Sequence, residues 1–130
     1  MITVTVVDET TTGARGEAWH LEIFEETLTL RELIRRRVLQ EVAGFNVKRG
    51  PVFRGLVQPG DAEATLNGYR LRTPRRVDPE KQAAAALAAF ERNGFVVLVD
   101  DRQVEDLDAP LDLTMDTQVT FLKLVPLVGG

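Results

Sequence analysis

The residues with the clearest chemical potential are the two glycines that close the 130-residue sequence, Gly129 and Gly130, directly behind an apolar run. A Gly-Gly strip carries no Cβ and is therefore thin and conformationally free. It can thread a narrow slot in a partner enzyme and present a carboxylate without steric hindrance. A carboxylate is a poor electrophile, so acyl transfer from Gly130 requires ATP-dependent adenylation. That chemistry belongs to the partner, with this chain as its substrate. The plain alternative is a frayed or incidental end.

Other reactive groups are sparse. His20 is the only histidine, and the chain contains no serine and no cysteine. A Ser-His-Asp triad, a thiol nucleophile and a thiolate metal site are thereby excluded. His20 lies in a predicted strand beside Trp19 and reads as a structural residue. The carboxylates Asp100, Asp101, Glu105, Asp106, Asp108 and Asp112 could bind a hard cation, but their spacing fits no EF-hand loop. A solvated acidic rim is the simpler reading. Gly13-Ala14-Arg15-Gly16 is too short to cradle a phosphate. The chain is expected to be no enzyme, with no metal and no resident cofactor.

The elements that must position the tail follow from periodicity. Ile2-Thr3-Val4-Thr5-Val6 alternates as a half-buried strand, and Glu17–Phe24 resumes the pattern after Thr10–Gly13, which reads as an antiparallel hairpin. Thr29 with Glu32 forms a capping-box signature, followed by Leu30, Leu33, Ile34, Val38 and Val42 at helical spacing; Gly44 is the expected stop. Glu32–Arg36 and Arg37–Glu41 are i,i+4 pairs expected on the outer face. Residues 45–78 are broken by Gly50-Pro51, Pro59-Gly60, Asn67-Gly68 and Pro74, with short strands expected within Val52–Val57 and Thr65–Arg72. Asp78 and Pro79 open a second helix that Asn93-Gly94 closes. Phe95–Val99 is a buried strand, Asp100-Asp101 a turn and Gln103-Val104 a return. Leu107, Leu111 and Leu113 are expected anchors, and Val119–Val125 is the last strand. Lys123 shares a strand parity with Phe121, so a bulge is expected there. Leu122 and Leu124 then face either outward, as a partner-binding patch beside Pro126, Leu127 and Val128, or inward under residues 45–94.

With 16 basic and 20 acidic side chains, net −4 and pI near 5.0, the composition disfavours nucleic acid as the main partner. Charge is uneven: residues 45–94 are net +4 and residues 95–130 net −5. Arg35, Arg36, Arg37, Lys48, Arg49, Arg70, Arg72, Arg75 and Arg76 form either a solvated face and loop or a docking surface for an acidic partner. The longest apolar run is Ala83–Phe90, too short for a membrane span, and the start lacks signal-peptide features. No membrane association and a cytoplasmic location are expected. Strands and helices in this order give an α+β class: a mixed sheet with helices on one face.

Residues 96–130 resemble the last third of ubiquitin. The likeness rests on a strand, a tight turn, Gln103-Val104-Glu105-Asp106, a loop with Leu111 and a last strand ending in Gly-Gly. The head hairpin and Thr29-Leu30-x-Glu32-Leu33 resemble that family too. Asp106-Leu107-Asp108-Ala109-Pro110-Leu111 and Pro126-Leu127-Val128-Gly129-Gly130 are similar to sulfur carriers of the MoaD and ThiS type. The resemblance implies a single β-grasp (ubiquitin-like) domain over 1–130, a mixed sheet packed on a central helix. Its core is 1–44 and 95–130, and the insertion 45–94 contains the second helix. It also implies a divergent bacterial ubiquitin-like modifier whose Gly130 is adenylated by an E1-like activating enzyme using ATP-Mg. An E2-like conjugating enzyme, a deubiquitinase-like peptidase and target proteins are the further partners implied. The tail lacks arginines before Gly-Gly, implying an apolar tail groove in the activating enzyme. Two alternatives stand beside it: a sulfur carrier forming a C-terminal thiocarboxylate, and a non-covalent adaptor docking through its insertion.

Overall fold

A computed structural model describes residues 2–48, 52–53, 55–57, 59, 62–65, 68–71 and 76–124. The fold is α+β, with a five-stranded mixed sheet and two helices. The chain divides into two units, Met1–Glu32 with Ala89–Gly130, and Leu33–Ala88.

The first unit is organised by alternation. β1 (Ile2–Thr10) and β2 (Trp19–Ile23) form the head hairpin, with Val4 opposite Leu21 and Ile2 opposite Ile23. β7 (Phe95–Val99), β8 (Arg102–Val104) and β10 (Gln118–Lys123) complete the sheet in the order β2-β1-β10-β7-β8. β1 and β10 run parallel and meet at the centre, while every other pair is antiparallel. One face buries Val4, Val6, Leu21, Ile23, Val97, Val119 and Phe121. The Phe95 ring sits 6.0 Å from that of Phe121 and 5.7 Å from that of Phe90, joining aromatic contacts to the aliphatic core. A two-stranded ladder of β3 (Thr27–Thr29) with β9 (Pro110–Asp112), which local patterning does not announce, closes the unit. It buries Leu28 and Leu111, and Leu107 and Leu113 are buried beside it in sequence.

The two-residue connection Asp100-Asp101 between β7 and β8 has φ of +48° and +68°, as a type I′ turn requires. Asp100 offsets part of that strain: its amide donates to the Gln118 carbonyl, and its Oδ1 accepts from the Gln118 amide, both at 2.9 Å.

α1 (Leu30–Lys48) starts in the first unit and continues through the second. Thr29 caps it, its Oγ1 accepting from the Glu32 amide at 3.2 Å. The Leu30 and Arg31 amides, which a helix cannot satisfy internally, donate to the carbonyls of Ala109 and Leu107. Two expectations are corrected here. The helix does not stop at Gly44 but runs to Lys48. Glycine in a helix costs only about 1 kcal/mol, and Asn46 outweighs it by making two hydrogen bonds with the backbone of Val77. Nor is the Arg37–Glu41 pair on the outer face: the Arg37 side chain is 1% exposed and that of Glu41 11%. The second Glu41 oxygen accepts from the Leu56 amide, which explains why a charged pair is retained inside.

The second unit also holds β4 (Val52–Phe53), β5 (Ala62–Thr65) and β6 (Gly68–Leu71), paired antiparallel in the order β4-β6-β5. α2 (Pro79–Glu91) begins as expected, with Asp78 Oδ1 accepting from the amides of Glu80 and Lys81. It ends in the first unit with a Schellman closure: Asn93, at φ +62°, donates to Phe90, and Gly94 donates to Ala89. A Cβ on Gly94 would lie 3.2 Å from the Ala89 carbonyl oxygen, so the close approach favours glycine.

Candidate functional site

The tail leaves from β10, so the geometry of that strand fixes where the tail begins. β10 lies between β1, with Leu122 opposite Glu9, and β7, with Leu122 opposite Val96. The register is continuous to Lys123, which sits opposite Thr10 and Phe95, so the expected bulge is absent. Lys123 is half-buried at the strand's end, where its long aliphatic stem fits the rim of the core face. Two backbone bonds anchor this end. The Thr11 amide donates to the Lys123 carbonyl at 3.2 Å, and the Leu124 amide donates to the Gly94 carbonyl at 3.1 Å.

Leu122 belongs to the sheet face opposite the core, together with Thr120, Val96, Leu98 and Val7. Val7 and Thr120 are buried, while Leu122, Val96 and Leu98 are half-buried. Leu124 follows at the rim and is 38% exposed. The two leucines therefore differ: one helps fill an apolar strip across β10 and β7, and the other emerges where the strand ends. Pro126, Leu127, Val128, Gly129 and Gly130 lie outside the described residues.

Four of the remaining candidate carboxylates make structural contacts. His20 is exposed on β2, opposite Thr5, on the sheet face that does not carry the core. Asp100 closes the β7–β8 turn, as above. Asp106 Oδ1 accepts from the Asp108 amide, Asp108 pairs with Arg31 at 3.3 Å, and Asp112 accepts from the Thr27 hydroxyl. One oxygen of each thus serves a turn, the helix start or the ladder, and among the described residues no three His, Asp or Glu side chains gather as for a metal ion. A groove of about 590 Å³ lies in the same unit, between the end of α2 and residues 103–108, with Arg31, Glu91, Glu105 and Asp106 on its walls. Its lining is polar and rich in carboxylates.

The basic residues separate in the same way. Arg35 pairs with Glu80 at 3.0 Å, Arg37 is consumed by Glu41, and Arg76 is exposed. Arg49, Arg72 and Arg75 lie outside the described residues. Divided by unit, the charge is more polarised than by sequence third. The first unit carries 15 acidic and 5 basic residues, net −10, and the second 5 acidic and 11 basic, net +6. Sequence reasoning missed Glu41 and Asn46 as organisers of the second unit. Their partners, Leu56 and Val77, lie 15 and 31 residues away, beyond any local spacing rule.

No helix among the described residues is long and apolar enough to cross a membrane. Comparison with family models, with curated proteins and with solved structures finds no match to this chain.

Proposed function

We propose that the chain is a ubiquitin-like protein modifier on a β-grasp framework, acting through a carboxylate at Gly130, whether encoded there or released by processing. The observation that carries this reading is the sheet order β2-β1-β10-β7-β8. The first strand of the head hairpin and the last strand, more than a hundred residues apart in sequence, are neighbours, and that central pair is parallel. This is the arrangement expected if residues 96–130 and the head hairpin belong to one ubiquitin-like core. The parallel pairing brings the end of the last strand beside the hairpin turn, where the Thr11 amide donates to the Lys123 carbonyl.

In this reading an E1-like enzyme binds the segment after Leu124. The Gly130 carboxylate attacks the α-phosphate of ATP, held as its magnesium complex; pyrophosphate leaves, and an acyl adenylate remains. A thiol of the E1-like and then of the E2-like partner displaces AMP to form a thioester; a target amine displaces that thiol, losing a proton, and forms an isopeptide bond. A deubiquitinase-like peptidase hydrolyses that bond. Gly129 and Gly130 keep the segment thin enough for such active sites. The backbone is anchored as far as Leu124, and six further residues can reach about 20 Å when extended. The apolar Pro126-Leu127-Val128 favours an apolar groove in the activating enzyme.

The sulfur-carrier reading keeps the same adenylation, with sulfide-equivalent sulfur replacing the adenylate to give a thiocarboxylate. It is favoured by Asp106–Leu111, where Leu107 and Leu111 are buried and Asp108 pairs with Arg31. The test is a denaturing, reducing blot of an N-terminally tagged chain in its native host, as wild type and as Gly129→Ala with Gly130→Ala. A ladder of heavier bands specific to the wild type supports the modifier. A single band in both, with sulfur in the C-terminal peptide, supports the carrier.

A further inference from the structure

The second unit carries a groove that the tail chemistry does not use. It measures about 850 Å³ and runs between the C-terminal half of α1 and residues 76–79. One wall is a stripe of the helix, Leu39, Ala43 and Val47, spaced i, i+4, i+8 so that all three share a face. Val47 is 85% exposed, more than any other large apolar side chain described. Val42 and Val77, 0% and 3% exposed, underlie it.

The opposite wall is held in place. The Asn46 Nδ2 donates to the Val77 carbonyl at 3.0 Å, and the Val77 amide donates to Asn46 Oδ1 at 2.8 Å. Both backbone polar groups of Val77 are therefore satisfied from inside, so the wall presents apolar surface at no cost in unpaired groups. The Asp78 carboxylate is likewise occupied, capping α2.

Charge selects among occupants. The unit is net +6, Arg76 is exposed at the groove, and Lys48 and Arg49 follow Val47 in sequence. An apolar stripe at helical spacing accepts the apolar stripe of another helix. The unit's net positive charge favours carboxylates flanking that stripe and speeds their encounter. An apolar floor offers nothing to a phosphate backbone. We infer that this groove docks an amphipathic acidic helix of a partner protein, independently of the tail.

The test uses the whole chain and a fluorescein-labelled helical peptide with leucines at i, i+4 and i+8 flanked by glutamates. Its lysine-flanked counterpart and a labelled oligothymidylate serve as comparisons, all read by anisotropy. The acidic peptide is expected to bind saturably and about tenfold more tightly than the lysine peptide. Val47→Asp is expected to weaken it about tenfold, and Arg76→Glu to weaken it and flatten its salt dependence. Both positions are exposed, and Ala43→Glu provides a third variant; circular dichroism checks that each folds. The inference is overturned by equal affinity for the two peptides, by no saturable binding, or by Val47→Asp without effect. Preferential binding of oligothymidylate would overturn it in favour of nucleic acid. Self-association that excludes the peptide would overturn it in favour of a second copy.

Discussion

Removing the Glu41 carboxylate separates two accounts of helix α1 by their magnitudes. As an exposed i,i+4 partner of Arg37, Glu41 would contribute about 0.3–0.5 kcal/mol, and Glu41→Ala would scarcely be felt. The structure gives it two tasks in a buried setting. One oxygen pairs with Arg37, whose side chain is 1% exposed, and the other accepts from the Leu56 amide. Breaking a buried pair by deleting one partner costs about 3–5 kcal/mol, and stripping a buried amide of its acceptor costs about 1–3 kcal/mol. These terms overlap, so Glu41→Ala is expected to cost at least about 3 kcal/mol. At this chain length that corresponds to a fall in Tm of roughly 10 °C or more. Glu41→Gln keeps an acceptor for Leu56 and is expected to lose less. Urea unfolding followed by far-ultraviolet circular dichroism reports on the helices directly. A loss below about 1 kcal/mol for Glu41→Ala would refute the reasoning, because it would place the pair in solvent.

Two backbone substitutions and one surface substitution extend the tests. Gly44 is interior to α1, and a Cβ there meets nothing within 4 Å. Gly44→Ala is therefore expected to stabilise by about 1 kcal/mol in urea unfolding; a helix ending at Gly44 would instead be destabilised. Asp101→Gly relieves a φ of +68° in the type I′ turn and is expected to raise stability by roughly 0.5–1 kcal/mol, read from the thermal midpoint. Val47→Asp, at an exposed site, is expected to leave the thermal midpoint nearly unchanged while weakening binding of the acidic peptide about tenfold.

What could be read from the sequence was what local chemistry controls. Thr29 and Asp78 announced their helices because capping is settled within three residues, and both side chains make the expected amide bonds. The alternation of β1 and β10 foretold which side chains enter the core. Gly44 misled because glycine's modest helix penalty is easily outweighed by a distant partner, here the double bond from Asn46 to Val77. Arg37 misled because i,i+4 charge spacing looks the same in solvent and in a core. Lys123 misled in the opposite direction: a lysine on the core parity at a strand end needs no bulge, since its stem is apolar. For the candidate site, Leu122 and Leu124 were recognisable as a pair, but their unequal exposure depends on where β10 ends against Gly94 and Thr11. The polarity between an acidic and a basic unit was only faintly visible. The unit boundaries fall at residues 32/33 and 88/89, within both helices, where no composition change marks them.

Conjugation through Gly130 can be read from tryptic mass spectrometry of host proteins. Lys123 is the last basic residue, so trypsin would leave the segment Leu124–Gly130 on any modified lysine. Branched peptides are expected in which this segment is joined through Gly130 to lysine Nζ of other proteins, lost in the chain carrying Gly129→Ala and Gly130→Ala. Their absence from host cells in which the tagged wild-type chain is abundant would contradict conjugation through Gly130.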